Sequence, residues 1–245
     1  MTHHSLLITH HLTHRYADGR VALEDVSFAI EPGECVALVG PNGAGKTTLF
    51  LRLCGVLDGK AGQANVNGLD PAVPEHRKKL PEVVGVVFQN PDDQLFSPTV
   101  AEDVAFGPLN MGAAPDEARA RVAEALSAVG IPDAGERVPF QLSGGEKRRA
   151  ALAGVLAMRP SVLLLDEPSM FLDPRGRREL ISTIRDLPGT KLIATHDLDL
   201  VLDTCPRTLV MDAGKIAADG PTEMLLADVE LMEKHGLEVP YRLRR

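Results

Sequence analysis

Cysteine is scarce in this sequence, basic residues are not in excess, and no long apolar run occurs. The three cysteines, Cys35, Cys54 and Cys205, form an odd set without metal-ligand or redox spacing. That points to reduced thiols in a cytosol. Cys35 and Cys54 lie in apolar stretches and are expected in the core. A net charge of −8 argues against a general nucleic-acid binder, which carries a basic excess. No segment approaches the roughly 18 uninterrupted apolar residues of a membrane span, and the N-terminus lacks the basic and apolar regions of a signal peptide, so the chain reads as soluble by itself. Internal repeats and low-complexity tracts are missing too. His3, His4, His10, His11 and His14 come without a carboxylate or cysteine pattern, and are read as solvent-facing positions of an early strand rather than a metal site.

What is present suffices for a real core: 245 residues with 44% hydrophobic content suit one large α/β domain with a sub-domain. Its most regular stretch is a glycine-rich loop. Gly40-Pro41-Asn42-Gly43-Ala44-Gly45-Lys46-Thr47 meets G-x-x-x-x-G-K-S/T at every fixed position. Cys35-Val36-Ala37-Leu38-Val39 before it has the make-up of a short buried strand, and Thr48-Leu49-Phe50-Leu51-Arg52-Leu53 after it opens a helix that Gly55 can end. In that context glycines turn the backbone tightly and aim successive N–H groups at phosphate oxygens, while the helix N-terminus adds positive potential. Lys46 is placed to reach the β- and γ-phosphates and the Thr47 hydroxyl to hold Mg²⁺. The dinucleotide fingerprint G-x-G-x-x-G is absent, because Gly40, Gly43 and Gly45 have the wrong spacing.

Leu6-Leu7-Ile8 and Val26-Ser27-Phe28-Ala29-Ile30 read as antiparallel strands ahead of this loop, with Glu31-Pro32-Gly33-Glu34 as a turn. Short β-rich runs at Val83 to Phe88, Val162 to Leu165, Lys191 to Ala194 and Thr208 to Met211 supply the remaining core strands. Between Gln89 and Pro160 the character changes. Ala118, Val122, Ala125, Leu126 and Val129 recur at helical spacing within Pro115 to Val129, Gly130 supplies a stop, and a second helix is expected from Ser143 to Met158. The expected organisation is one domain over 1–245, with an α/β core from 1–88 and 160–245 and a helical insertion at 89–159.

Val162-Leu163-Leu164-Leu165-Asp166-Glu167 is an apolar strand that ends in two carboxylates. Beside a phosphate loop, Asp166 is expected to bind the metal through water and Glu167 to face the attacking water as general base. Thr195-His196-Asp197 follows another core strand, which puts His196 near the γ-phosphate. Leu142-Ser143-Gly144-Gly145-Glu146 looks like a second phosphate-binding helix start, so one chain carries halves of two sites.

The ordered set of GPNGAGKT, Gln89, LSGGE, VLLLDE, Asp173 and His196 resembles the nucleotide-binding subunit of an ATP-binding cassette (ABC) transporter, over almost the whole chain. The resemblance implies a P-loop NTPase fold with a RecA-like core, an N-terminal antiparallel β sub-domain and an inserted helical sub-domain, using ATP and Mg²⁺. It implies an ATP-binding set of Tyr16, Gly40, Pro41, Asn42, Gly43, Ala44, Gly45, Lys46, Thr47 and Thr48, with Tyr16 stacked on adenine. Thr47, Gln89 and Asp166 would form the metal set, and Glu167, His196 and Gln89 the catalytic set. Gln89 would also link to a membrane partner, and Asp173 would communicate between two sites. Ser143, Gly144 and Gly145 would cover the γ-phosphate held by the opposite subunit, so that two chains meet head to tail around two ATP molecules.

A narrower likeness lies in Phe88-Gln89-Asn90-Pro91-Asp92-Asp93-Gln94-Leu95-Phe96, continued by Pro98-Thr99-Val100 and Glu102 to Pro108. It is similar to the energy-coupling factor subfamily, ATPases that power uptake of vitamins and of cobalt or nickel ions. The tail, Asp219 to Glu223 and His235-Gly236-Leu237-Glu238, is similar to the cobalt-type members, which makes a metal ion the expected cargo and a vitamin the alternative. The implied partners are a second copy of the chain, or a paralogue, and a transmembrane coupling protein bound to a substrate-binding membrane protein, at the cytoplasmic face of the cell membrane. One departure stands out. Most members carry a small residue and a glycine where this chain has Met170-Phe171 before Leu172-Asp173; altered loop packing across a dimer and simple lineage variation both fit. Soluble relatives acting in DNA repair, chromosome organisation or translation carry long coiled coils or tandem cassettes, for which 245 residues leave no room. A regulatory module that switches without turnover can dispense with Glu167.

Overall fold

The computed structural model describes residues 5–59 and 61–244, so His3 and His4 lie outside the described residues. Strands β1 (Leu7–Arg15) and β2 (Val21–Ile30) lead to β3 (Cys35–Val39), α1 (Lys46–Leu53), β4 (Gln63–Val66), α2 (Pro74–Arg77) and β5 (Val84–Val87). Then come α3 (Val100–Asn110), α4 (Pro115–Ala128) and α5 (Gly144–Leu156), followed by β6 (Val162–Asp166), α6 (Pro174–Asp186), β7 (Thr190–Ala194) and α7 (Leu198–Thr204). The chain closes with β8 (Arg207–Asp212), β9 (Lys215–Pro221), α8 (Thr222–Ala227) and α9 (Val229–Lys234). Among the described residues no helix is long and apolar enough to cross a membrane.

Two sheets result. The first is antiparallel, in the order β2-β1-β4; the second has the order β5-β6-β7-β3-β8-β9 and is parallel except for β9. Side chains alternate across a strand, and β3 shows how this builds two cores. Val36 and Leu38 face the antiparallel sheet and α1, packing with Leu12, Val26, Phe50 and Leu164, while Ala37 and Val39 join Val104, Leu152, Leu165 and Ile193 on the other face. Each fully buried leucine or phenylalanine contributes about 1.5–3 kcal/mol.

Two strands escape the sequence pattern. β4 is only four residues long, and β9 is an edge strand joined to β8 by a hairpin whose turn holds Ala213 at φ 46° and Gly214 at φ 79°. The early histidines need a correction. His10 and His11 are exposed as expected, but the register slips between Thr9 and Leu12, where His11 takes φ 49°, and this bulge turns His14 into the core at 7% exposure. Burial, and then nearby Arg52, lowers the His14 pKa. The cysteines differ too: Cys35 and Cys54 are only partly buried, and the Cys35 Sγ sits 3.4 Å from the buried Cys205 Sγ, because β3 and β8 are neighbours.

Candidate active site

The C-terminal ends of β3, β6 and β7 point to one edge of the parallel sheet, where open α/β sheets bind their ligands. At the end of β3 the glycine loop is shaped by close approach of backbone. A Cβ on Gly40 would lie 2.0 Å from the Met211 carbonyl oxygen of β8, and one on Gly45, at φ 110°, 2.4 Å from the Ala22 oxygen of β2. Gly45 caps α1, whose first N–H groups face the loop. Lys46 is 7% exposed, and its Nζ donates to the Gly40 and Pro41 carbonyls at 2.6 and 3.2 Å. Burial lowers its pKa, against the pull of Glu167 and Asp166. A buried ammonium held only by carbonyls beside a helix N-terminus suits a polyanion.

Thr47 and Asp166 meet although far apart in sequence: the Thr47 hydroxyl donates to Asp166 Oδ2 at 2.8 Å. Burial raises the Asp166 pKa and the Glu167 charge adds to this, opposed by the Thr47 hydrogen bond and by Lys46 and Arg148. A hydroxyl and one carboxylate, both oxygen donors, fit Mg²⁺, which takes one or two protein ligands and completes its shell with phosphates and water. Glu167 is 7% exposed and carries a backbone φ of 47°, a conformation that costs a non-glycine residue about 1–3 kcal/mol and is tolerated where surroundings impose it. Here the surroundings are β7. Glu167 N–H donates to Ala194 O at 2.8 Å, its Oε2 accepts from Thr195 Oγ1 at 3.0 Å, and His196 Nδ1 lies 2.8 Å from the same oxygen.

These residues line a cavity of ≈ 700 Å³ with Gly40 to Thr48, Gln89, Met170 and His196. The cavity also holds Arg20, Val21, Ala22, Gly236 and Leu237, which motif reading missed. The only signals for them were the neighbouring Tyr16 and the family-like tail. Tyr16 itself does not line the cavity. Its hydroxyl pairs with Thr48 Oγ1 at 3.0 Å, and Arg20, which does line it, stands 4.8 Å over the ring. Gln89 is exposed, and its side-chain amide lies 2.7 Å from the Met170 sulfur.

Ser143, Gly144, Gly145 and Asp173 are not in this cavity. They line another, of ≈ 370 Å³, with Phe171 and Leu172. Ser143 caps α5 in a reciprocal box: Glu146 N–H donates to Ser143 Oγ at 3.3 Å, and Ser143 N–H donates to Glu146 Oε2 at 2.8 Å. The first-turn amides of Gly144 and Gly145 have no partner within the helix. Asp173 caps α6 by accepting from Gly176 N–H at 2.6 Å. The stretch 169–173 therefore runs from one cavity to the other, with Met170 in the first and Phe171, at φ 63° and 85% exposed, in the second.

Arg137 beside Glu146, with the Ser143 N–H and hydroxyl, holds the Glu146 carboxyl down at about 2. A depressed carboxylate contributes stability above its unfolded pKa of roughly 4.3, lost as pH falls toward the folded value. Acid titration of the wild-type protein should therefore show a step in stability between about pH 4.5 and 2 that is missing in Glu146→Ala, measured by urea unfolding at each pH.

A phosphate cradle at the end of a central parallel strand, with a carboxylate pair on a nearby strand, defines a P-loop nucleoside triphosphatase. The family model described as ABC transporter matches residues 23–170. A candidate ABC transporter ATP-binding protein of Gloeobacter violaceus is 52% identical over 98% of both chains. The energy-coupling factor transporter ATP-binding protein EcfA of Methanoculleus marisnigri is 46% identical, over 96% of this chain and 86% of its own. The solved structure of cbiO1 from Clostridium perfringens, described as part of the ABC transporter complex cbiONQ, superposes with a TM-score of 0.83 at 39% identity over 94% of each chain. The chain belongs to the ABC transporter family, among its ATP-binding subunits of the energy-coupling factor type. It is an ATPase that uses ATP with Mg²⁺.

Proposed function

We propose that this ATPase powers import of a metal ion, cobalt or nickel, as a homodimer on the cytoplasmic face of a membrane, docked on a transmembrane coupling protein that carries a substrate-binding partner. The observation that carries the dimer is the separation of the half-sites: the phosphate cradle and the Ser143 helix start open into different cavities of one chain. Each cradle is completed by Ser143, Gly144 and Gly145 of a second copy, and Asp173, beside Ser143 at the far end of the 169–173 stretch, communicates between the two sites. Lys46 and the loop amides hold the phosphates, with Thr48 and Arg20 around the remainder of the nucleotide and Tyr16 behind them, paired with Thr48 and covered by Arg20. Thr47, Asp166 and Gln89 would hold Mg²⁺, which would neutralise phosphate charge when bound. Glu167 accepts the proton of the attacking water, and His196 keeps the Glu167 carboxylate oriented while facing the γ-phosphate. Closure around ATP and reopening after hydrolysis move the segment after Gln89.

That segment is built as a lever. Gln94 pins it to β5, accepting from Phe88 N–H at 2.8 Å and donating to the Val86 carbonyl at 2.9 Å. Beyond it, Leu95, Phe96, Phe106, Met111 and Met158 line an apolar groove of ≈ 530 Å³, with Phe96 65% exposed, suited to a helix of the coupling protein. The metal cargo rests on the resemblance of the tail, Asp219 to Glu223 and His235 to Glu238, to cobalt-type members; the descriptions of cbiO1 and of the relatives named EcfA state no cargo, and a vitamin is the alternative. Purification of the complex from its native membrane tests the reading. It should bring down two membrane proteins, one of which binds Co²⁺ or Ni²⁺. A vitamin-binding subunit in its place would overturn the cargo alone, and recovery with soluble partners only would overturn the importer.

A further inference from the structure

Arg148 is among the most deeply buried charged side chains described, at 2% exposure, and has no part in the mechanism above. It sits on α5, five residues past Ser143. Its Nη1 donates to the Phe88 carbonyl at 3.0 Å and its Nη2 to the Met170 carbonyl at 3.2 Å. Its Nε has no partner. Phe88 immediately precedes Gln89; Met170 donates its N–H to the Glu167 carbonyl at 3.2 Å and offers its sulfur to the Gln89 amide. One guanidinium thus joins the helix that bears Ser143, the segment that bears Gln89 and the loop that runs from Glu167 to Asp173. Only the planar fork of arginine presents two donors to two separate strands of backbone in this way.

Stability alone does not account for such a group. Burying a charge without a bonded carboxylate costs several kcal/mol, and a well-packed apolar side chain of similar volume is often neutral or stabilising in its place. Asp166 and Glu167 attract Arg148 from a distance, but burial outweighs them and lowers its pKa.

We propose that Arg148 is a positioning residue for hydrolysis, clamping the Gln89 segment and the Met170 loop to α5 so that docking of a partner at Ser143 sets Gln89 in place. The inference rests on the role given to Gln89 above. In the purified dimer, Arg148→Met should lower kcat by about tenfold while KM and the affinity for ATP change by less than roughly twofold, as expected of an interaction made only on the way to the transition state. Arg148→Lys, which keeps the charge and one donor, should recover part of the rate. In a Gln89→Ala background the Arg148→Met loss should shrink to less than roughly twofold, since the group it positions is gone.

A kcat for Arg148→Met equal to that of the wild type would overturn the proposal. So would an equal loss with and without Gln89, or a lowered Tm with full kcat per folded, ATP-bound molecule. If Arg148→Met does not fold, Arg148→Lys carries the same comparison in both backgrounds, because it too breaks the two-carbonyl fork. A wild-type kcat for Gln89→Ala alone would overturn the assignment of Gln89 and this inference with it, leaving the Lys46 and Glu167 assignments standing.

Discussion

Glu167→Gln should abolish steady-state ATP hydrolysis, leave ATP binding intact and trap an ATP-bound dimer. Glutamine is close to isosteric, and its amide oxygen can still accept from Thr195 Oγ1 and His196 N–H, which the carboxylate does at 3.0 and 3.3 Å, so the strained backbone at φ 47° keeps its supports. What is lost is the capacity to take a proton from water, and a positioned general base contributes about 10²–10⁴ in rate. Because reopening of the dimer depends on hydrolysis in this reading, the same change should shift the protein to a dimer in size-exclusion chromatography with Mg-ATP. Hydrolysis at the wild-type rate would show that another group is the base.

The second large effect is expected in trans. Lys46→Ala and Ser143→Glu should each be inactive alone, the first by removing the buried cation of the cradle and the second by placing a carboxylate against the γ-phosphate of the other subunit. A mixed dimer then contains one site with intact Lys46 from one chain and intact Ser143 from the other, and a second site damaged on both sides. Phosphate release should reappear in an isolated mixed dimer. The cavities support this arrangement, since the Lys46 and Ser143 cavities share no lining residue. Complete inactivity of a verified mixed dimer would count against composite sites.

How much of this was legible in the residues differs from place to place. Strand β3, helix α1 and the loop between them could be read directly, because glycine spacing and apolar runs are local properties of the chain. The Ser143 cap was equally local: its box closes within three residues, by bonds between Ser143 and Glu146. His14 was misread because a bulge at His11 changes the alternation, and a bulge is decided by pairing with β2 rather than by composition. Arg148 gave no signal, since it stands in the basic run Lys147-Arg148-Arg149, and a charge run on a helix is most often a solvated face. Its partners are carbonyls 60 and 22 residues away.

Local chemistry in the sequence determined the parts: a phosphate cradle, a strand ending in Asp166-Glu167, a second glycine-rich helix start at Ser143 and a family-like tail. Backbone conformation and periodicity act over a few residues, and they suffice for such pieces. Only the tertiary structure decided which pieces share a cavity. The non-sequential strand order β5-β6-β7-β3-β8 puts Thr47 within 2.8 Å of Asp166 and His196 within 2.8 Å of Glu167, brings Leu237 to the cradle, and sends Ser143 to a different one. That order is set by burying both faces of the parallel sheet at once, a condition on the whole chain that no short stretch of it can express.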